Sequence, residues 1–246
     1  SPYYLNSIEY ITMSSLGNSE DFADVSIRLW YQSGGANDTR AVVGGGYGVP
    51  DATSNSNNID IITIASLGTN SSDFGDLLYA TREHSATASP TRVVWFGGKG
   101  LTGVSDQQTT IQFVTIATLG NSEDFGDLLA TTNSSNASSN GIRGFVCGGN
   151  TPSPYGASDI FTVTMATKGE ATDYDDLNTS TGQLPQIGTV ANSNKAIVAG
   201  GTAGGETNVI QSFSMATTGQ SADFGDLTVP RYSPAGVSDS HGGLLE

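Results

Sequence analysis

Residues 111–129 read IQFVTIATLGNSEDFGDLL, and closely similar phrases stand at four other places in the chain. Each phrase opens with an Ile-led run, passes through a glycine and ends in an acidic phrase with one aromatic residue. The lead residues are Ile8, Ile59, Ile111, Ile160 and Ile210, so successive phrases begin 51, 52, 49 and 50 residues apart. A regular period of this length indicates an array of one supersecondary unit. We therefore expect one repeat domain over residues 1–246.

The Ile-led runs have the alternation of β-strands. In every run the fourth and sixth residues are apolar, and a period of two places them on one face of a sheet. These pairs are Ile11 and Met13, Ile62 and Ile64, Val114 and Ile116, Val163 and Met165, and Phe213 and Met215. The first residues of the other face are also apolar in most repeats, so each sheet is expected to be stacked between two others.

A second element recurs before the Ile-led run. It is an apolar run that follows a basic residue and ends in a glycine pair, as in RAVVGGG from Arg40 and RVVWFGG from Arg92. We interpret it as a strand ended by a turn. The loops that follow contain 8 to 12 residues and are rich in Gly, Asn, Ser and Pro. We interpret the DFGD phrase as a tight turn leading into a short outer strand, and small-residue stretches such as REHSATAS, residues 82–89, as strands crowded near a central axis.

Composition limits the partners and the kind of site. The 246 residues include 24 acidic and 9 basic side chains, a net charge of −15, which opposes binding to nucleic acid. The sequence contains no run of eighteen apolar residues, so no membrane span is expected. Cys147, the one cysteine, lies in the apolar run RGFVCGG and is expected to be a small buried side chain.

The order of these elements resembles that of kelch-type β-propellers. RYSPAGVSDSHGG (231–243), RVVWFGG, IQFVTIAT and DFGDL follow the family order of a small-residue strand, a Gly-Gly strand and two further strands. The family's Tyr and Trp spacing is not present, and the aromatic residue of DFGD stands where its Trp would be. SSDFG at 71–75 is similar to the structural Asp-box turn of sialidase-type propellers. The resemblance implies an all-β, five-bladed propeller with four-stranded blades.

The ends of the chain are expected to meet in one blade. Residues 1–26 begin with an Ile-led strand, whereas residues 229–246 align with the two inner strands that this repeat lacks, with His241 opposite Arg40. Pairing the ends would close the ring and remove free sheet edges. The remaining blades are expected at about 27–78, 79–129, 130–178 and 179–228.

The recurring acids have two interpretations. Each DFGD phrase contains a first Asp and a second one three residues later. The first carboxylates are those of Asp21, Asp73, Asp124, Asp173 and Asp223. Because they recur in every repeat, we interpret them as caps of a structural turn, with no metal or other cofactor. The alternative is a Ca²⁺ site on one rim, since Ca²⁺ takes six to eight oxygen ligands.

No catalytic motif accompanies the repeats, so we do not expect an enzyme. There is no GxSxG, P-loop or metal-ligand spacing, and His84 and His241 lie in different repeats. The wording VTIATLGNSEDFGDL at 114–128 resembles repeats in structural proteins of tailed bacteriophages, particularly marine ones. That resemblance implies a virion or extracellular fibre, tail or capsid-decoration module, with virion proteins or cell-surface glycans as partners and room for homo-oligomers.

Two alternatives to a structural or host-attachment module remain open. The first is a lectin, because exposed aromatic rings on a polar surface are typical of sugar sites. Its candidate residues are Tyr47, Tyr155, Trp30 and Tyr31. The second is a hydrolase or lyase of surface glycans that uses the paired carboxylates.

Overall fold

The fold is all-β. A computed structural model describes residues 5–48, 54–100, 107–151, 158–178, 184–202 and 204–238, and among these it contains eighteen strands and no helix. The strands are β1 (Ser7–Tyr10), β2 (Glu20–Asp24), β3 (Ser33–Ala36), β4 (Arg40–Gly44), β5 (Asn58–Thr63), β6 (Ser72–Asp76), β7 (Ser85–Ala88), β8 (Arg92–Phe96), β9 (Thr110–Thr115), β10 (Glu123–Asp127), β11 (Asn136–Ser139), β12 (Arg143–Cys147), β13 (Asp159–Thr164), β14 (Thr172–Asp176), β15 (Gly188–Ala191), β16 (Lys195–Ala199), β17 (Val209–Ser214) and β18 (Ala222–Asp226).

The strands form a β-propeller-like set of antiparallel sheets. Four sheets have four strands each, in the orders β3-β4-β5-β6, β7-β8-β9-β10, β11-β12-β13-β14 and β15-β16-β17-β18. Strands β1 and β2 form a fifth sheet of two strands. Within each sheet, strands that follow one another in the chain pair as antiparallel hairpins. The reason is that each repeat supplies the strands of one sheet in chain order.

The Ile-led strands of the four-stranded sheets are buried on both faces, as the alternation predicts. In β9 and just after it, Ile111 and Phe113 pack into one hydrophobic cluster, whereas Val114 and Ile116 pack into another. Each of these side chains is at most 3% exposed. Burial of such a side chain contributes about 1.5–3 kcal/mol, so packing between sheets is a main source of stability.

The first strand of each four-stranded sheet is built from small residues. Strand β7 contacts β3 on one side and β11 on the other, so the innermost strands of neighbouring sheets touch. The approach is close enough that a Cβ on Gly35 would lie 2.6 Å from the Cβ of Ala88. The prediction that small residues occupy a crowded inner position is confirmed.

The prediction for the DFGD phrase is wrong in its local structure. The phrase is not a turn before the outer strand, because its residues form the outer strands themselves, including β6, β10 and β14. Each strand is interrupted by a bulge at the aromatic residue, as the register shift between Asp124 and Gly126 shows. In β10 this bulge includes Gly126, whose φ of +147° allows the strand to bend there.

The two-stranded sheet is less covered than the others. Ile11 and Met13 are 60% and 66% exposed, whereas the equivalent Val114 and Ile116 are buried. Of residues 229–246, which are expected to complete this sheet, 229–238 contain no assigned strand, and 239–246 with His241 lie outside the described part of the chain.

Candidate functional site

One backbone position recurs in all five repeats with an unusual conformation. Among the described residues, the non-glycine residues with positive φ are Tyr31, Glu83, Ser134, Gln186 and Ser233, at 50° to 60°. Three of their amides form a relay of hydrogen bonds. The N–H of Ser134 donates to the Glu83 carbonyl at 2.8 Å, that of Gln186 to Ser134 at 2.8 Å, and that of Ser233 to Gln186 at 2.6 Å. The relay links the entrances to successive innermost strands.

These five residues surround a pocket of about 270 Å³. Its wall consists of the five, the residue that follows each of them, and Asn136. We call this cavity the relay pocket. The backbone of its wall is repeated, but the side chains are a tyrosine, a carboxylate, an amide and hydroxyls. The wall therefore combines a regular frame with varied chemistry.

The one carboxylate in the wall is already engaged. Glu83 Oε1 lies 3.3 Å from Arg82 Nε, and its Oε2 accepts a hydrogen bond from Ser134 Oγ at 3.2 Å. The guanidinium of Arg82 also donates to Asn55 Oδ1 at 3.0 Å. The charge of Glu83 is thus balanced at its own site.

His84 supplies a buried acceptor to the wall. Its Nε2 lies 3.0 Å from the Gly44 carbonyl, which can only accept, so Nε2 carries the proton and Nδ1 is an acceptor. Nδ1 is buried and has no hydrogen-bond partner among the described atoms. Burial lowers the pKa of His84 to about 4, although the Gly44 hydrogen bond acts in the opposite direction. The ring is therefore neutral at pH 7.

The buried His84 predicts acid sensitivity. Its pKa is about 4 in the folded chain and 6.5 ordinarily, so the unfolded chain binds the proton more readily. Its contribution to stability is full above about pH 6.5 and declines towards pH 4. Between about pH 7.5 and about pH 5 we expect a loss of about 2 kcal/mol from this residue.

Urea unfolding at the two pH values measures this loss. In His84→Gln an amide N–H can still donate to Gly44, but nothing titrates there. The variant is expected to lose about 2 kcal/mol less than the native chain over the same interval. Equal losses in the two proteins would show that His84 is not the acid-sensitive group.

The candidate aromatic residues separate into two environments. Trp30 stacks on Tyr47 with ring centroids 5.7 Å apart and planes 6° apart, and Arg82 lies 4.6 Å from the Tyr47 centroid. Tyr47 thus contacts two neighbouring side chains, whereas Trp30 is 41% exposed. Tyr31 is 55% exposed and belongs to the relay pocket. Tyr155 lies outside the described residues.

The recurring first carboxylates lie on the outer strands and not around a pocket. Asp21, Asp73, Asp124, Asp173 and Asp223 are all exposed, each in the second position of its strand. Only one of them resembles the predicted cap, because Asp223 Oδ1 accepts from the Gly225 N–H at 3.1 Å. Within the described ranges no three His, Cys, Asp or Glu side chains come close enough to hold a metal ion. Cys147 is buried, as predicted, and burial raises the pKa of its thiol.

The sequence motifs did not indicate Glu83, Ser134, Gln186 or Ser233, although the spacing of the repeats marks this position. Tyr31, Glu83, Ser134 and Gln186 each stand nine positions before the basic residue that opens the next strand: Arg40, Arg92, Arg143 and Lys195. A fixed offset to a recurring residue marks a structural position even where the side chain itself varies.

Comparisons with known proteins add no family to this geometry. The sequence matches no protein-family model and no curated protein. No helix in the described part of the chain is long and apolar enough to cross a membrane.

Proposed function

We propose that the chain forms a closed ring of five blades. The blades comprise residues 1–26 with 229–246, then 27–78, 79–129, 130–178 and 179–228. Support comes first from a joint between sheets that is made four times. In it, an amide of the turn before one outer strand donates to a carbonyl of the preceding outer strand. The bonds are Gly68 to Phe22 at 2.8 Å, Gly120 to Phe74 at 2.9 Å and Gly169 to Phe125 at 2.8 Å. In the fourth joint the equivalent Gly219 donates to Asp175 Oδ2 at 2.7 Å, and the nearby Ser221 donates to the Asp176 carbonyl at 3.2 Å.

A side-chain clamp reinforces three of these joints. Gln112 Oε1 accepts the Leu78 N–H and the Ser122 hydroxyl, each at 2.8 Å. In the same way, the Asp60 carboxylate accepts hydrogen bonds from the Ser26 N–H and the Ser71 hydroxyl. The Gln211 Oε1 accepts them from the Asn178 N–H and the Ser221 hydroxyl. In the remaining joint, Phe161 of β13 and Ala171 before β14 stand at the positions of the glutamine and the serine, and both are buried in one hydrophobic cluster.

The two-stranded sheet has the acceptor and one of the two donors of such a clamp, but not the second donor. Glu9 Oε2 accepts the Ser19 hydroxyl at 2.7 Å, as Gln112 accepts that of Ser122. By repeat position, the missing donor is the amide of Thr228, which follows β18 and Leu227 as Leu78 follows Leu77. This complementarity between β18 and the β1-β2 sheet supports a fifth joint.

The other surfaces at these two ends are also complementary. Phe224 in β18 is 55% exposed, whereas the equivalent Phe125 is buried. A Cβ on Gly225 or on Gly17 would meet no atom within 4 Å, although one on Gly126 would lie 2.4 Å from Gly169 O. Contact between β18 and the turn at Gly17 would bury the exposed ring as in the other joints.

The route of the C-terminal segment fits the same arrangement. Its described part runs beside β15, because a Cβ on Gly188 would lie 2.5 Å from Pro234 O and one on Gly236 would lie 2.3 Å from the Val190 side chain. Residues 235–238 would then be the innermost strand of the shared blade.

We propose that this ring is a non-enzymatic module of a phage particle, with a structural or host-attachment role. The observation that carries the proposal is the joint repeated between sheets, because it builds a rigid frame whose variable parts are loops and pocket side chains. The assignment to a phage particle rests on the resemblance of the repeat sequence to repeats in phage structural proteins. The exposed outer-strand carboxylates give no paired acid and base within one pocket, so catalysis is not favoured.

Protein mass spectrometry of density-purified virions tests this proposal. We expect the chain to co-purify with the particles at a fixed ratio to the major capsid protein, and to stay bound through salt washing. A cytoplasmic protein of the infected cell serves as the depletion control. Recovery of the chain only in the fraction with that control would overturn the virion assignment.

Glycan binding is the second candidate, and one observation favours it. Tyr31 presents an aromatic ring that is 55% exposed beside the polar groups of the relay pocket. Such a ring next to amides and hydroxyls is typical of sugar sites. This role is compatible with host attachment.

A further inference from the structure

We propose that the relay pocket binds one neutral, hydroxyl-rich ring, such as a single unit of a surface glycan. The inference rests on the glycan-binding candidate for the class of ligand, and it places the site in the wall that five repeats build. The location rests on geometry, since residues from five repeats converge on one cavity.

The size of the pocket selects a small ligand. Pockets for drug-sized molecules measure about 300–1,000 Å³, and this cavity of about 270 Å³ lies just below that range. It has room for one ring, while the rest of a longer glycan would extend into solvent. Recognition would therefore centre on a terminal or branching unit.

One residue of the wall, His84, has a buried hydrogen-bond acceptor without a partner in the described part of the chain. His84 is 5% exposed, and its Nδ1 has no hydrogen-bond partner among the described atoms. A buried acceptor without a partner is unfavourable, so a ligand hydroxyl that reached Nδ1 would remove that penalty. The side chains of Gln32 and Gln186 form no hydrogen bond with another described residue and can each donate and accept.

Charge disfavours an anionic ligand and gives a cationic one little advantage. No Lys or Arg belongs to the wall, and the chain has a net charge of −15, so an acidic sugar is repelled. A cationic sugar gains little, because Arg82 already balances the Glu83 carboxylate. The exposed Tyr31 ring offers an apolar surface on which the C–H face of a sugar ring can stack.

Ligand-observed saturation-transfer NMR with titration calorimetry tests the site. The probes are methyl glycosides of glucose, galactose, mannose, N-acetylglucosamine and N-acetylgalactosamine, with glucuronic acid and glucosamine as charged counterparts. We expect at least one neutral probe to bind with a Kd of about 1 mM or tighter, its acidic counterpart to bind at least tenfold more weakly, and its amino counterpart to bind no more than a few-fold more tightly.

Two variants place the binding in the pocket. Tyr31→Asn removes the ring but tolerates positive φ, and Gln186→Asn shortens the amide with the same tolerance. Each is expected to weaken binding at least tenfold while the unfolding temperature stays within a few degrees of the native value. Tyr79→Asn, which removes another exposed tyrosine that is not in the wall, is the matched control and should bind normally.

The outcomes decide the site independently of the virion proposal. Binding of no probe, tight binding of the acidic sugar, or full affinity in both pocket variants would each overturn the relay pocket as a neutral-sugar site. Mass spectrometry of virions would still decide the setting of the chain. A chain that binds sugar but is missing from virions would retain the pocket and lose the virion assignment.

Discussion

Replacing Gly75 with Ala is expected to lower the free energy of unfolding by about 4 kcal/mol. Gly75 has φ +149°, a region open essentially to glycine, which contributes about 2 kcal/mol of strain. The new Cβ would also lie 2.4 Å from the Gly120 carbonyl oxygen in the neighbouring turn. Forcing that backbone apart adds about 2 kcal/mol and disturbs the joint with Phe74.

Gly120→Ala is the matched control for the steric part of this effect. Gly120 has φ +150°, but its Cβ would meet no atom within 4 Å. We expect only the strain, about 2 kcal/mol. Urea unfolding followed by tryptophan fluorescence measures both variants. If the two are destabilised equally, then contact across the joint contributes nothing and the close packing of the outer strands is not a source of stability.

The sheet architecture could be predicted from the sequence because its determinants are local and repeated. The alternation of Ile111, Phe113, Val114 and Ile116 predicts a strand buried on both faces, and the structure places those pairs in separate clusters. The small residues of β7 likewise predict an inner strand. These features depend on the period of two along a strand, which needs no knowledge of distant contacts.

The outer strand was predicted in the wrong place because the glycine in DFGD is compatible with two different structures. Glycine at positive φ occurs both in tight turns and in β-bulges. The sequence pattern favours a turn, whereas in the structure Phe125 lies at a bulge within β10. Pairing with β9 decides between the two, and that pairing is not visible in the phrase itself.

The candidate site was only partly predictable because it depends on contacts between repeats. Tyr31 was selected as an exposed aromatic residue, and it does belong to the relay pocket. Tyr47 was selected on the same grounds, but its ring contacts Trp30 and Arg82. Glu83, Gln186 and Ser233 resemble ordinary loop residues, and they meet only because three relay bonds bring successive repeats together.

Gly225→Ala decides whether the fifth joint forms, and we expect it to be as destabilising as Gly75→Ala, at about 4 kcal/mol. Gly225 has φ +145°, yet its Cβ would meet no atom within 4 Å between the described ends. If the ring closes as proposed, the Gly17 turn takes the place that Gly120 has beside Gly75, and the methyl group strikes it. If the ends stay apart, only the strain of about 2 kcal/mol remains, as in Gly120→Ala.

The three alanine variants must be compared at concentrations where light scattering shows a monomer, because a second copy could otherwise supply the Gly17 turn. Under that condition, a loss matching Gly75→Ala means that the chain's own ends meet. A loss matching Gly120→Ala means an open arc, in which Phe224, Ile11 and Met13 keep their exposed surfaces. An open arc would contradict the five-bladed ring, since the clamp of Glu9 and Ser19 would then have no second donor within the chain.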